Sequence, residues 1–384
     1  MDTEEILRQE AVRLFLQGIS AQKISEQLNR TRQWVYKWVK QYKKSQDTNW
    51  NKTRSNTPHS ILNKTSVSLE NSVVEIRKRL LNNPYAQKGA ISILYEFERL
   101  GVVPPSISSI NRILKRNHLI GLSLVKQTKQ KEYPDYFIGV QQMDLIGPKY
   151  LKGGFKFYFY CIIDTETHYA IVYPITNKSA ESITPCLIDF WTNYRLPDFL
   201  QMDNELSFRG SNRHPRGLGM ILRITISNGV VPIFIPTAEP WRNGIIEKFN
   251  GNVLKYFYNT QKFDSFEQLI AKANHFSAFH NENHRYSSQL NRTPNQMVKL
   301  SFNDIRLTKN IDLSSKIMIE EGKINFIRFI RSDQKLNVLN TTFILKKELI
   351  YSYVVAQIII EKHLLVVMQN NTVHHIFPFI MSLS

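Results

Sequence analysis

The chain has 384 residues, enough for several domains with a sizeable core, and a formal net charge of +18. Such an excess of cations calls for a polyanionic partner, nucleic acid or an anionic membrane surface. The membrane finds no support, because no apolar run approaches the ~18 residues of a spanning helix and the chain opens on Asp2, Glu4 and Glu5 where a signal peptide would be basic. The two cysteines, Cys161 and Cys186, lie in apolar stretches without a CxxC pair. They read as core residues of a cytoplasmic protein and argue against a zinc finger.

Residues 1–45 read as a helix-turn-helix domain. Ile6, Val12, Leu14, Phe15 and Leu16 precede Gly18, a helix stop; Ser20 then caps a helix over Ala21–Leu28, and Thr31 caps one over Arg32–Tyr42. In the third helix Trp34, Val35 and Trp38 point inward. Arg32, Gln33, Lys37 and Lys40 are left for phosphates and base edges of double-stranded DNA.

Residues 46–66 are polar and read as a linker. Residues 67–121 form a second helix-turn-helix-like unit, with helices over Leu69–Leu81, Ala86–Leu100 and Ser106–Arg116. A basic linker follows at 122–135. Lys115, Arg116, Lys126, Lys129 and Lys131 give this region no acidic counterweight, so it is expected either to track phosphates or to serve as a solvated tether.

From 136 to 300 the pattern is that of an α/β domain. Apolar, aromatic runs at Phe137–Met143, Phe155–Ile163 and Tyr169–Tyr173 predict three antiparallel strands. After them come a helix over Ser179–Tyr194, a short strand ending at Asp203, a helix near Leu218–Ser227, a strand over Val231–Ile235, the helix that carries Glu247, and a helix over Ser265–Asn281. Asp164 reads as a turn residue, and His275, His280 and His284 as surface or structural. After a linker at 301–315, residues 316–384 alternate over six short runs between Lys323 and Phe377, which predicts a small all-β barrel of the SH3-like kind. Its Arg328, Arg331, Lys335, Lys346 and Lys347 are candidates for contacts with DNA.

Three carboxylates stand out in the middle region. Asp144 closes the first apolar run, Asp203 the short strand, and Glu247 sits one turn into a helix beside the apolar set Ile246, Phe249, Val253 and Phe257. Converging from two strand ends and a helix, they would form an all-oxygen pocket for a hard divalent cation. Lys248 and Lys255, seven apart on the same helix, could hold a phosphate backbone beside it.

Gln142-Met-Asp144-Leu-Ile-Gly, Met202-Asp203-Asn204 with Phe208, and Asn243-Gly-Ile-Ile-Glu247-Lys-Phe-Asn-Gly resemble the three signatures of the DDE integrase core shared by insertion-sequence transposases and retroviral integrases. The resemblance implies a ribonuclease H-like fold over about 136–300, with Asp144, Asp203 and Glu247 as catalytic metal ligands. It also implies two Mg²⁺ ions, with Mn²⁺ as a substitute, and a homo-oligomer acting on element ends and target DNA in the bacterial nucleoid. Asp144 would bridge the ions while they activate the attacking oxygen and stabilise the leaving one. Two features depart from the family pattern. Glu205 stands where glycine is common, and the stretch from Asp203 to Glu247 is long, with its excess in the basic, turn-rich loop 209–219. Two other functions use the same residues: a catalytically silent DNA-binding protein, and a metal-dependent nuclease that cuts without joining.

Overall fold

A computed structural model describes residues 3–45, 50–52, 65–120, 132–134, 136–211, 213–301, 305–308, 311, 313 and 317–382. Of the basic linker, Lys126, Lys129 and Lys131 lie outside this set. The chain divides into two compact units, Met1–Lys64 and Thr65–Ser384.

The smaller unit is helical: α1 (Thr3–Leu16), α2 (Ala21–Gln27) and α3 (Arg32–Lys44). Both caps read from the sequence are present, Ser20 accepting from the Lys23 amide and Thr31 from the Trp34 amide. Val35, Trp38 and Val39 are buried against Ala11, Val12, Leu14 and Ile24, whereas Trp34 is only half-buried. Part of the segment read as linker belongs to this unit. Trp50 packs edge-on against Tyr42, 5.1 Å between ring centroids, and the buried Asn51 accepts from Arg8 Nη1 through its carbonyl at 2.8 Å.

The larger unit opens with α4 (Val67–Asn82), α5 (Ala90–Arg99) and α6 (Ile107–Arg116), capped by Ser66, Gly89 and Ser106. Val73, Ile76, Ile93, Phe97, Ile110 and Ile113 close its small core. Arg116 is spent on a salt bridge to Glu70 rather than left free for phosphates.

Strands β1 (Val140–Tyr150), β2 (Lys156–Asp164) and β3 (Ala170–Ile175) are antiparallel neighbours, as their aromatic runs predict. Helix α7 (Ala180–Asn193) leads to β4 (Phe199–Met202), the short α8 (Leu206–Arg209), α9 (Met220–Ser227) and β5 (Val231–Phe234). α10 (Gly244–Asn252), α11 (Phe266–Asn283) and α12 (Pro294–Leu300) complete this part. β4 pairs parallel with β1, and β5 parallel with β4. The resulting order, β3-β2-β1-β4-β5, is the ribonuclease H-like arrangement.

Side-chain alternation sorts the strands onto two helical layers. Phe157, Phe159, Cys161 and Ile163 pack under α10 and α11 with Ile246, Phe249, Val253 and Leu269. Met143, Tyr160 and Ile162 pack under α7 and α9 with Ile183, Leu187, Trp191 and Ile221. Buried Cys161 and half-buried Cys186 are core residues on opposite layers.

The C-terminal segment is all-β, and it extends the same sheet. β6 (Lys323–Phe329), β7 (Lys335–Val338), β8 (Thr341–Ile344), β9 (Tyr353–Ile359), β10 (Leu364–Gln369) and β11 (Thr372–Pro378) follow in sequence. β6 pairs parallel with β5, and β9, β10 and β11 add to its far side, giving nine strands in the order β11-β10-β9-β6-β5-β4-β1-β2-β3. β7 and β8 form a separate hairpin whose Leu336 and Val338 join the α7–α9 core. The approach is close at Gly322, which has φ +137°, and where a Cβ would lie 2.4 Å from Ile226 of α9.

Loop 209–219 is anchored on this segment instead of standing free. Arg216 donates to Thr341 and lies 4.6 Å above the Phe379 ring, and its carbonyl accepts from the Ser382 amide.

Asp164 does make the predicted turn, accepting from the Glu166 and Thr167 amides, but it is also wholly buried against Arg195 at 2.7 Å. Arg195 reaches Glu166 and Ser301 as well, at 2.8 and 2.9 Å. Removing one partner leaves a buried charge uncompensated. Arg195→Ala is therefore expected to lower the stability of the larger unit by about 3–5 kcal/mol, read as the shift of its urea midpoint; a loss below about 1 kcal/mol would show the pair to be dispensable.

Candidate functional site

The site is built where β4 stops and β1 continues. Asp144 does not close a strand, as its place after an apolar run suggested. It lies inside β1, paired with Cys161 of β2, while pairing with β4 ends at Gln142–Gln201. Strand propensity carries β1 through Leu145 and Ile146 to a bulge before Lys149. Asp203 directly follows the last residue of β4.

Period-2 alternation puts Gln142 and Asp144 on one face of β1, and Gln201 and Asp203 likewise on theirs. That face receives α10. Gln142 Oε1 accepts from the Ile246 amide at 3.0 Å, and Gln201 Nε2 donates to Asn243 Oδ1 and to the Arg242 carbonyl, both at 3.1 Å. Asn243 in turn donates to the Met143 carbonyl at 3.3 Å. The start of α10 has no side-chain cap from its own N-cap residue; Gln142 accepts from one of its first-turn amides, while Gln201 and Asn243 tie the residues that lead into it to the strands. They hold Glu247 beside the strand ends. Three residues on, Asn250 donates to Asp144 Oδ2 at 2.8 Å, while the Leu145 amide donates to Oδ1 at 2.8 Å.

Asp144 feels both other carboxylates. Burial first, then the charges of Asp203 and Glu247, push its carboxyl up to about 6, against the hydrogen bonds from Leu145 and Asn250. Burial also raises Asp203, whose Oδ1 accepts from the Glu205 amide at 2.9 Å. Glu205 itself, the departure from the family pattern, is engaged by Lys178 at 2.8 Å; its charge adds to the rise at Asp203 and that of Lys178 opposes it.

Among the described residues no group of three or more His, Cys, Asp or Glu side chains is drawn together tightly enough to hold a metal ion. The donor set nevertheless suits a hard cation. It is all oxygen, no Lys or Arg forms an ion pair with Asp144, Asp203 or Glu247 among the described residues, and Asn250 Oδ1 is buried there without a partner.

Sequence reasoning quoted Gln142, Asn243 and Asn250 without giving them roles and missed Gln201. Two signals were available: a glutamine inside an apolar strand must find a buried partner, and Asn250 follows Glu247 at the i+3 spacing of one helix face.

Lys248 is exposed and borders a groove with Lys88, Asn111, Tyr256 and Arg285. Lys255 falls in a π-helical turn over Val253–Phe257, which rotates it away from the position a regular helix would give it; its Nζ lies 5.0 Å from the Tyr256 ring. In the smaller unit Arg32, Gln33, Lys37 and Lys40 are all exposed, and Gln33, Lys37 and Lys40 share the i, i+4, i+7 face of α3. His280 and His284 are buried and His275 exposed. Burial depresses His284 to about 3 and His168 to about 4, so this group behind α10 is neutral and structural.

Residues 2–49 match a model of the Homeodomain-like domain, and residues 228–294 a model of the integrase core domain. Among solved structures, the catalytic core of HTLV-2 integrase in complex with magnesium is 18% identical, with 41% of this chain and 94% of that chain covered and a TM-score of 0.31. The catalytic core of BIV integrase is 14% identical over 42% of this chain and 94% of that one, with a TM-score of 0.32. No curated protein matches the chain. No helix among the described residues is long and apolar enough to cross a membrane.

The raised Asp144 has a consequence for stability. Between an unfolded value near 3.9 and about 6 the folded state holds the proton more tightly, so the stability owed to the neutral acid is lost as pH rises through that window. In chelator at neutral pH, Asp144→Asn is expected to stabilise the larger unit by about 1–2 kcal/mol, seen as a higher melting temperature. An unchanged or lower melting temperature would mean that the carboxylate is not under electrostatic strain.

Proposed function

We propose that this chain, which joins a homeodomain-like helix-turn-helix domain to an integrase core domain in the manner of insertion-sequence DDE transposases, is a DNA transposase. The observation that carries the reading is that Asp144, between β4 and α10, feels the charges of both Asp203 and Glu247 and is bonded to Asn250 of the same helix. Asp144, Asp203 and Glu247 would hold two Mg²⁺ or Mn²⁺ ions, which supply the charge that activates an attacking oxygen and stabilises a leaving one at phosphorus.

The chain's own groups do the remaining work. Asn250 orients Asp144, and the Glu205 amide orients Asp203. Gln142 and Gln201 hold the α10 N-terminus against the strands, so that Glu247 cannot drift from them. Lys248 and Lys88 present positive charge to a phosphate backbone along their groove, with Lys255 further along the helix. Arg32, Gln33, Lys37 and Lys40 bind double-stranded DNA at element ends, with α3 as the recognition helix. The first reaction is hydrolysis of a phosphodiester at the element end. In the second, the freed 3′-hydroxyl displaces a target phosphodiester, one P–O bond forming as another breaks. The C-terminal strands, which extend the core sheet, serve DNA contacts, and the active form is a homo-oligomer that pairs two ends.

The test is to incubate the full chain with the DNA flanking its gene, in Mg²⁺ or Mn²⁺, beside Glu247→Gln and Asp144→Asn. Wild type is expected to give nicked ends and joined products, and both variants at least ~10²-fold less of each, since losing a metal ligand removes several kcal/mol of transition-state stabilisation. Nicking without joining would favour the nuclease. Chemistry that survives Glu247→Gln would refute the site.

A further inference from the structure

The turn that starts α10 is held from a distant part of the chain. Residues 236–243 join β5 to α10, and Ala238 sits among them at φ +62°, a conformation that a residue with a side chain keeps only where its surroundings enforce it. The enforcement comes from β9. The Tyr353 hydroxyl donates to Glu239 Oε2 at 2.7 Å and accepts from Arg242 Nη2 at 2.8 Å, while Arg242 Nε donates to the same Glu239 oxygen at 3.1 Å. Hydroxyl, carboxylate and guanidinium thus close a ring of three hydrogen bonds, two of which end on Tyr353.

Aromatic rings shelter these bonds. Tyr353 is buried, Arg242 lies 4.1 Å from the Tyr133 ring centroid and 4.7 Å from that of Tyr353, and the two rings meet edge-on with centroids 5.1 Å apart. Hydrogen bonds to charged groups are stronger than neutral ones and gain further where water is excluded. The backbone of Arg242 is fixed separately: its carbonyl accepts from Gln201 of β4 at 3.1 Å, and the next side chain, Asn243, binds Gln201 and the Met143 carbonyl. Glu247 follows one helical turn later. Arg328 of β6 pairs with Val354, next to Tyr353, so the two side chains leave the sheet on opposite faces. Arg328 donates to the Ile235 carbonyl at 3.0 Å, just before the same segment, and to Asn204 Oδ1 at 2.9 Å, beside Asp203.

We infer that Tyr353 is a positioning residue for the carboxylate site: acting through Glu239 and Arg242, it fixes the turn that starts α10 and with it the place of Glu247. The inference deepens the proposed function and rests on it for one point, that Glu247 is a metal ligand. Tyr353 itself touches neither substrate nor reacting atoms. Such a brace suits a site in which Asp144 feels the charges of Asp203 and Glu247, because the strand then keeps Glu247 in place before any cation arrives.

The experiment compares the full chain with Tyr353→Phe, which keeps the ring and removes the hydroxyl, and with Tyr351→Phe, an exposed tyrosine just before β9, as control. Amide hydrogen exchange is followed by mass spectrometry on peptides covering 236–247. The affinity for Mn²⁺ alone, without DNA, is read from the electron paramagnetic resonance signal of the free ion. In Tyr353→Phe the amides of 239–246 are expected to exchange several-fold faster and Mn²⁺ to bind several-fold more weakly, while the amides of β6 and β9 keep their wild-type rates. Tyr351→Phe is expected to match the wild type in every readout. Unchanged exchange across 239–246 overturns the inference, and so does an unchanged affinity where the wild type binds the ion; faster exchange confined to β9 would show Tyr353 to be a packing residue alone. Failure of the functional reading looks different. A wild-type chain that takes up no Mn²⁺, or takes it up equally well after Glu247→Gln, fails that reading, and the exchange pattern then decides by itself whether Tyr353 holds the turn.

Discussion

Buried amide groups must be hydrogen-bonded, and at the ends of two parallel strands that requirement places the whole site. Gln142 and Gln201 stand on neighbouring strands in direct register. Neither can be solvated, and each finds its partner at the uncapped start of α10. The helix is thereby docked at one height along the sheet and in one rotation. Glu247 and Asn250 then face Asp144, and the coupling that lifts the Asp144 carboxyl follows from that docking. Loosening the amides would release α10 and its Glu247 from the strands without touching a carboxylate.

A second constraint comes from the sheet continuing past β5. A parallel strand buried on both faces needs a covered neighbour. β6 supplies one, and α9 together with the β7–β8 hairpin closes the layer above it. The C-terminal strands are therefore continuous with the sheet of the integrase core. Arg328 draws the consequence inward by reaching from β6 to Asn204, so that a change in the C-terminal strands is felt one residue from Asp203.

The net charge of +18 is unevenly used. Many cations are spent internally, Arg195 on Asp164 and Glu166, Arg116 on Glu70, Arg216 on Thr341 and Phe379. Others are exposed, among them Lys248, Arg331 and Lys335 and, on α3, Arg32, Lys37 and Lys40. Asp144, Asp203 and Glu247 form no ion pair with Lys or Arg among the described residues.

The sequence by itself determined the helices of the smaller unit, because caps at Ser20 and Thr31 and an apolar stripe are local signals. It determined the order of elements along the core as well, and the three carboxylates, which stand in chain order within recognisable signatures. It could not place Asp144 inside β1, since an acid after an apolar run looks like a strand end until β2 is seen to continue alongside it. Nor could it find the roles of Gln201 and Asn250, whose partners lie some forty and a hundred residues away in sequence. The joining of β6 to β5 was equally hidden. Strand pairing depends on which edges are left open once the chain has folded, and local pattern carries no information about open edges. Tertiary structure decided those points because each is set by the satisfaction of buried groups across long sequence separations.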